Sequence, residues 1–447
     1  MTRFSGFAAR LLVLAALVTA GVAIQQYYRV TLKLQDPQGG HINDFDRWMI
    51  MTPAFVHDRA DYVNDLLPTP PLTLLALAPL TSLSRPSAQF VWVLVKLPLA
   101  LAVFALALAI VRRAGGRLTT TAMLLVLAGW WLPVVLDMQE GQTNFLALLP
   151  LMGALYLAQN ERPRWDVLAG VLLGLAIAVK VTPAIFAAYF LWKRRWIVAA
   201  AAVAGVAVWS VAVPALVFGW DQNLRWLAQW AEIMIVPYAT KGTVAYAISQ
   251  SFGSFALRLF SAVPVFDAGV AGSPEPHYMN LFELSPSAVF VLVRGAMTAV
   301  AVVGLVWMRH RLETLRSARY LIEIGAVAAF MLWFSERTWV HHYVSFLLTL
   351  CAAGAILSDE TQPRSAIRLA RVALVAFAAT TVFASEAGYL LGPSGVAWAK
   401  GVGVFLWPSV LVTIAATCRW QPQPRSVSSA LPVFRYWSTP RADESAP

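Results

Sequence analysis

Residues 86–117 read PSAQFVWVLVKLPLALAVFALALAIVRRAGGR, an apolar run interrupted by one lysine, Lys96, and closed by Arg112, Arg113 and Arg117. As a helix, residues 86 to 111 rise past the ~30 Å hydrocarbon core of a bilayer. The stretch therefore predicts a membrane crossing with its basic end held on one side. Similar runs recur along almost the whole chain, and the alternating segments of about ten residues that mark a transmembrane barrel are absent. Composition agrees: of 447 residues 59% are hydrophobic and only 13% charged, with mean hydropathy +0.64. A soluble chain carries about a quarter charged residues. The sequence thus predicts an all-α, polytopic integral membrane protein.

Working outward from residues 86–111, further spans are expected near 7–26, 118–136, 144–159, 166–180, 182–192, 196–219, 285–308, 320–334, 341–357, 369–388 and 399–417, about twelve crossings within a range of about ten to thirteen. The first, with Arg3 and Arg10 ahead of an apolar stretch, resembles a signal peptide, but with so many spans following it is expected to remain as an uncleaved helix. With the N-terminus inside, the clusters Arg112–Arg117, Arg162 and Arg164, Lys193–Arg195, Arg309–Arg319 and Arg364–Arg371 all fall on one side. That asymmetry orients the chain with both termini cytoplasmic, in a bacterial inner membrane. It also absorbs the net charge of +11, which in a soluble chain would suggest nucleic acid. The pattern holds only if Trp165–Trp192 forms a hairpin of two short crossings broken at Lys180 and Pro183. Such a break is tolerated where it lines a cavity.

Residues 1–420 read as one transmembrane unit with two long outer segments, about 27–85 and 220–284, followed by a disordered cytoplasmic tail over 421–447. The first segment ends in Pro70–Leu80, apolar but too short to span, and is expected at the interface or as a re-entrant turn. In the second, Trp220, Trp226 and Trp230 suit an interfacial helix with an aromatic anchor. Cys351 and Cys418 have no spacing that suggests a metal, haem or redox pair.

Three polar corners fall on the outer side: His41–Trp48, with Asp44 and Asp46; Asp137–Asn144; and Ser335–Tyr343, with His341 and His342. On this topology they assemble with Lys180 and Arg258 into one polar, partly cationic cavity. Each has a plainer reading. The first corner could be a solvated loop, Thr143 or Asn144 could cap a helix, Lys180 could snorkel, and Arg258 could serve a structural ion pair. Only Lys96 and Arg294 stand as mid-span charges.

Taken in order, Asp44 and Phe45 with Trp48, Pro70–Leu72 and Pro79, Gly141–Asn144, Ala169 and Gly170 through Lys180 and Pro183 to Lys193–Trp196, Ser249–Ser251 before Arg258, and His341–Tyr343 resemble glycosyltransferase family 87 over roughly residues 40 to 350. The resemblance implies a GT-C-type fold and a hexosyltransferase that moves a sugar, usually mannose, with inversion from a polyprenyl phosphate to a lipid-linked or surface glycan acceptor. It implies Asp44 as catalytic base, with Asp46 as the backup two residues on, and His341 or His342 beside the donor. Thr69, Trp48 and Ser249 depart from the family's usual Tyr, Tyr and Asn, which bears on the sugar rather than on the reaction.

The residues fit that chemistry independently. An inverting transfer needs one carboxylate to take the acceptor's proton, and a phosphate leaving group needs no protonating acid. Lys180, Arg258 and a histidine could stabilise the charge that builds on phosphate, while Gln142, Asn144 and Gln250 could bind donor or substrate hydroxyls. No metal and no separate cofactor are expected, since the lipid-linked sugar is itself a substrate. A transporter or flippase would carry mid-span charges and broken helices in related halves. A glycan ligase or polymerase with a diphosphate-linked donor would share the outer cavity. These two remain as alternatives.

Overall fold

The computed structural model describes residues 2–36, 40–63, 67–240, 249–269, 274–385 and 391–417. The tail expected over 421–447 lies outside them. The chain is an all-α membrane bundle; among the described residues the only β pairing is an isolated bridge between Phe266 and His277.

The helices follow in order: α1 (Thr2–Leu34), α2 (Asp44–Asp58), α3 (Pro71–Leu77), α4 (Arg85–Arg113), α5 (Thr120–Glu140), α6 (Asn144–Ala158), α7 (Pro163–Val179), α8 (Ala184–Trp192), α9 (Trp196–Val206), α10 (Val213–Phe218), α11 (Trp220–Met234), α12 (Val236–Thr240), α13 (Phe252–Phe260), α14 (Pro286–Trp307), α15 (Ala318–Trp333), α16 (Leu347–Leu357), α17 (Arg364–Phe383), α18 (Gly392–Gly401) and α19 (Leu406–Thr417). A π-turn, Ala207–Ala212, joins α9 to α10, and a 3-10 turn, Val340–Phe346, leads into α16.

Six helices among the described residues are long and apolar enough to cross a membrane alone or with such a joined turn, and α18 with α19 makes a seventh if that bent pair is one span. Several expected crossings fall on shorter helices. The sharpest departure is 182–192, where α8 has only nine residues and rises about 13 Å. It returns to its starting end through a turn at Lys180–Pro183, extended at Lys180 and closed by Ala184 N donating to Val181 O at 2.9 Å, followed by that half-length helix. The ion pair between Arg195 and Asp166, 3.0 Å, places Lys193–Arg195 beside the start of α7 and confirms the return.

The same end of the bundle gathers the other basic clusters. Arg113 donates to Tyr156 O at 3.1 Å, and Arg316 to Gln159 O at 2.8 Å. Lys193 meets Glu323 at 2.9 Å, and Arg319 meets it at 2.8 Å. Carbonyls left open at helix C-termini are thereby satisfied by cations, which also complement the helix dipoles.

The span expected over 399–417 is broken, with 48° between α18 and α19. The two outer segments are mostly helical. The Asp44 corner is no solvated loop but the start of α2, capped by Asn43, whose side chain accepts from Asp46 N. The apolar run after Pro70 forms α3, whose Leu72 packs on Ala147, Ala178 and Val179. The tryptophans of α11 depart from the expected anchor: Trp226 is buried and donates to Ala60 O at 2.8 Å, and Trp230 donates to Pro68 O at 2.9 Å. They bolt the two outer segments together, and of the three only Trp220 is exposed.

Helix α7 packs closely against α9. A Cβ on Gly174 would sit 2.6 Å from the backbone of Gly205, so the seam requires small residues, as packing between membrane helices often does. Gly174→Val is expected to force α7 from α9 and so disturb the Lys180 break at its end. A loss of about 2 kcal/mol or more should appear as a lowered melting temperature in detergent; an unchanged value would mean the seam is not as tight as described.

Candidate active site

The end opposite the basic clusters collects the polar corners, and the turn between α5 and α6 organises them. Gly141 ends α5 at φ +66°, with its N–H directed to Asp137 and Met138 carbonyls. Only glycine fits there, because a Cβ would lie 2.2 Å from Phe45 Cβ. Trp92 stacks on Phe45 at 5.2 Å and donates to Gly141 O at 2.7 Å. The turn thus seats α2 directly over the beginning of α6.

Asp44 occupies that junction. Its side chain is 13% exposed, accepts from Gln142 Nε2, and pairs with Arg47 at 2.6 Å. Burial pushes the Asp44 carboxyl above its ordinary value, against the opposing influence of Arg47, Gln142, His41 and Lys180. Asp46 is differently engaged: Arg85 Nε and Nη2 reach it at 2.8 and 2.7 Å, and Ile42 N donates to it at 3.1 Å. One carboxylate of the pair is thus clamped into the fold, while the other faces the corner.

Two residues beyond Gln142, Asn144 accepts from Lys180 Nζ through Oδ1 and donates through Nδ2 to Asp137 Oδ2 at 2.8 Å. Asp137 in turn is paired with Lys96 at 2.7 Å, both side chains fully buried. Lys180, Asn144 and His342 line a cleft together with Thr182, Pro183, Ser335, Arg337, Thr338 and Ser345. Its remaining lining is apolar: Ala147, Leu148, Leu151, Met331, Leu332 and Val344. His342 Nδ1 accepts from Trp339 N at 3.2 Å, which puts the ring proton on Nε2. Cationic side chains in an otherwise largely apolar cleft suit a phosphate carrying a hydrocarbon tail.

The expected site residues therefore divide. Asp44, Gln142, Asn144 and Lys180 form one hydrogen-bonded and electrostatic group, and His342 shares the cleft with the last two. His341 lies behind, edge-on to His342 at 4.5 Å, with its carbonyl accepting from Asn144 at 3.4 Å. Arg258 and Gln250 are a correction. Arg258 is fully buried and donates to Gly401 O at 2.9 Å and Ser249 O at 3.0 Å. Gln250 donates to Lys400 O at 2.8 Å and accepts from Phe405 N at 3.1 Å. Both bind the backbone groups freed where α18 and α19 break, groups that lipid cannot satisfy. Neither lines the cleft.

Sequence reasoning left Lys96, Asp137 and Arg337 out of the site. Asp137 and Arg337 stood inside the quoted polar corners, and Lys96 was noted as a mid-span charge. The signal available was that a charge inside an apolar run needs a partner.

Residues 69–335 match the family described as Glycosyltransferase family 87. Among curated proteins, the chain is similar to the polyprenol-phosphate-mannose-dependent alpha-(1-2)-phosphatidylinositol mannoside mannosyltransferase of Mycobacterium tuberculosis, 26% identical over 54% of this chain and 48% of the relative. It is also similar to a polyprenol-phosphate-mannose-dependent alpha-(1-2)-phosphatidylinositol pentamannoside mannosyltransferase from that species, 28% identical over 49% of this chain and 42% of the relative. The protein so named in Mycolicibacterium smegmatis is 38% identical over 22% of each chain. The chain spans about half the length, or less, of the curated relatives it matches. No solved structure matches it.

The assignment of Arg258 to the fold has a direct check. Arg258→Met should strip the broken span of a buried cation's hydrogen bonds and destabilise the protein by about 3 kcal/mol. The melting temperature should fall sharply, whereas a stable variant impaired only toward a phosphate ligand would return Arg258 to the cleft.

Proposed function

The chain belongs to glycosyltransferase family 87, and from that membership we propose that it transfers a hexose, mannose in our reading, from a polyprenyl-phosphate sugar to a lipid-linked or glycan acceptor with inversion. The observation that carries the reading is that one turn, Gly141–Asn144, holds a largely buried carboxylate, Asp44, through Gln142 and a cleft-lining lysine, Lys180, through Asn144, close enough that the lysine's charge acts on the carboxylate. The relatives' names support a lipid-borne donor and a lipid-linked acceptor. Neither the transporter nor the diphosphate-donor reading is favoured by this family membership.

In this mechanism the donor phosphate lies at Lys180, Arg337 and His342, with its hydrocarbon chain along Leu148, Leu151 and Leu332. The acceptor hydroxyl oxygen bonds to the anomeric carbon while Asp44 takes its proton. The bond from that carbon to the phosphate oxygen breaks, and its electron pair leaves on polyprenyl phosphate. The added negative charge is met by cations already in place, so no acid is required. Asp44 is the better base of the pair, because Asp46 already accepts three hydrogen bonds. By the positive-inside rule the cleft opens on the non-cytoplasmic face, with both termini cytoplasmic in an inner membrane.

Membranes carrying the protein, incubated with radiolabelled polyprenyl-phosphate mannose, should yield labelled product lipid. Asp44→Asn should lower the rate by about a thousand-fold, whereas Asp46→Asn should retain most of the turnover of whatever protein folds. Undiminished transfer by Asp44→Asn would remove its role as base.

The pH profile gives a second check. A base must be ionised, and burial raises the Asp44 carboxyl, so transfer should rise with pH through that raised value. Arg47 opposes the rise, so Arg47→Met should move the ascending limb to higher pH. A shift to lower pH would assign the limb to another group.

A further inference from the structure

The pair of Lys96 and Asp137 stands behind the cleft: neither residue lines it, and Asp137 meets it through Asn144. Lys96 Nζ donates to Asp137 Oδ1 at 2.7 Å and to Asp137 O at 2.5 Å. The other carboxylate oxygen accepts from Asn144 Nδ2 at 2.8 Å, and that same amide group donates to His341 O at 3.4 Å. Two acceptors on its nitrogen leave the amide one orientation, with Oδ1 turned toward Lys180. Lys180 is therefore held by a neutral oxygen, and its positive charge is not cancelled by the contact.

A buried carboxylate without Lys96 would behave otherwise. Removing one partner of a buried pair leaves an uncompensated charge, and Lys180, which binds the same Asn144 amide, is a cation whose charge already acts on Asp137. The lysine would then be drawn toward α5 and away from the cleft. Lys96 keeps Asp137 satisfied, and Asn144 keeps Lys180 one residue removed from it. The nearby Lys96–Trp92 contact at 5.8 Å and the Trp92 bond to Gly141 O extend the same support to the turn that seats Asp44.

We propose that Lys96 and Asp137 are positioning residues that, through the amide of Asn144, hold Lys180 as an uncancelled cation for the phosphate of the donor. The inference rests on the phosphate-binding role given to Lys180 in the proposed function. It assigns the pair to donor affinity rather than to acceptor binding or to proton transfer.

The test measures transfer by purified full-length protein against polyprenyl-phosphate mannose, with the donor and acceptor varied separately. Lys96→Met should raise the donor KM by about ten-fold or more, the effect of losing one charged phosphate contact, with the acceptor KM little changed. The double variant Lys96→Met with Asp137→Asn removes the stranded charge while leaving an amide oxygen for Asn144. Its donor KM should return most of the way to native even if its melting temperature stays low, a separation that a merely structural pair would not produce.

If Lys96→Met does not fold, Lys96→Gln makes the same test, because it keeps a hydrogen-bond donor toward Asp137 while removing the charge, and it should raise the donor KM alone. Folded Lys96→Met or Lys96→Gln protein with a native donor KM would overturn the proposal. So would a double variant that binds donor no better than the single one. Failure of the native protein to use any polyprenyl-phosphate sugar would instead remove the proposed function, and the positioning role with it.

Discussion

A charge within a hydrocarbon-facing bundle must be matched by a partner, and the ion pair of Lys96 with Asp137 is where this chain meets that requirement most deeply. Both side chains are withdrawn from solvent, and their separation is 2.7 Å. Breaking such a pair is expected to cost about 3–5 kcal/mol, whereas its net contribution when intact is small. Its importance lies in what it aligns. The carboxylate orients Asn144 and hence Lys180, while the lysine sits over Trp92, which holds the Gly141 turn and stacks on Phe45 beside Asp44. The Asp44 carboxylate and the Lys180 cation, carried by distant parts of the chain, are registered against one corner between α5 and α6.

The two ends of the bundle divide the work. At one, Arg113, Lys193, Arg195, Arg316 and Arg319 meet helix C-termini and the carboxylates Glu161, Asp166 and Glu323, and the groups satisfy one another. At the other, helices break early at Lys180 and after Trp333, and cationic side chains line a cleft. Broken helices leave backbone groups that lipid cannot serve. Gln250 and Arg258 supply partners where α18 and α19 part, so polar residues at this end include braces as well as chemistry.

Much of this was legible in the sequence because hydrocarbon imposes a simple code. Long apolar runs became helices, the basic clusters met at one end, and the break at Lys180 and Pro183 turned the chain back as charge placement required. Gly141–Asn144 was readable as a corner, and Asp44 as its facing carboxylate. The pairing of Lys96 with Asp137 was not, because the two residues lie 41 positions apart and a sequence names no partner for a lone charge. Arg258 and Gln250 were misread for a related reason: the groups they bind are backbone atoms of Ser249, Lys400, Gly401 and Phe405, which have no side-chain signature. Trp226 and Trp230 of α11 imitate an interfacial anchor in spacing, and only their carbonyl partners reveal them as bolts. The half-length α8 shows that a turn at Lys180–Pro183 can stand where an unbroken apolar run was expected to cross.

The account turns on where the phosphate of a lipid-borne donor sits. A cryo-EM map of the protein bound to a non-hydrolysable polyprenyl-phosphate mannose analogue tests this most directly. Density for the phosphate within hydrogen-bonding distance of Lys180 and Arg337, with the anomeric carbon turned toward Asp44, is the predicted result. A phosphate bound at the opposite end, among Lys193 and Arg195, or one in the cleft with its sugar directed away from Asp44, would contradict it.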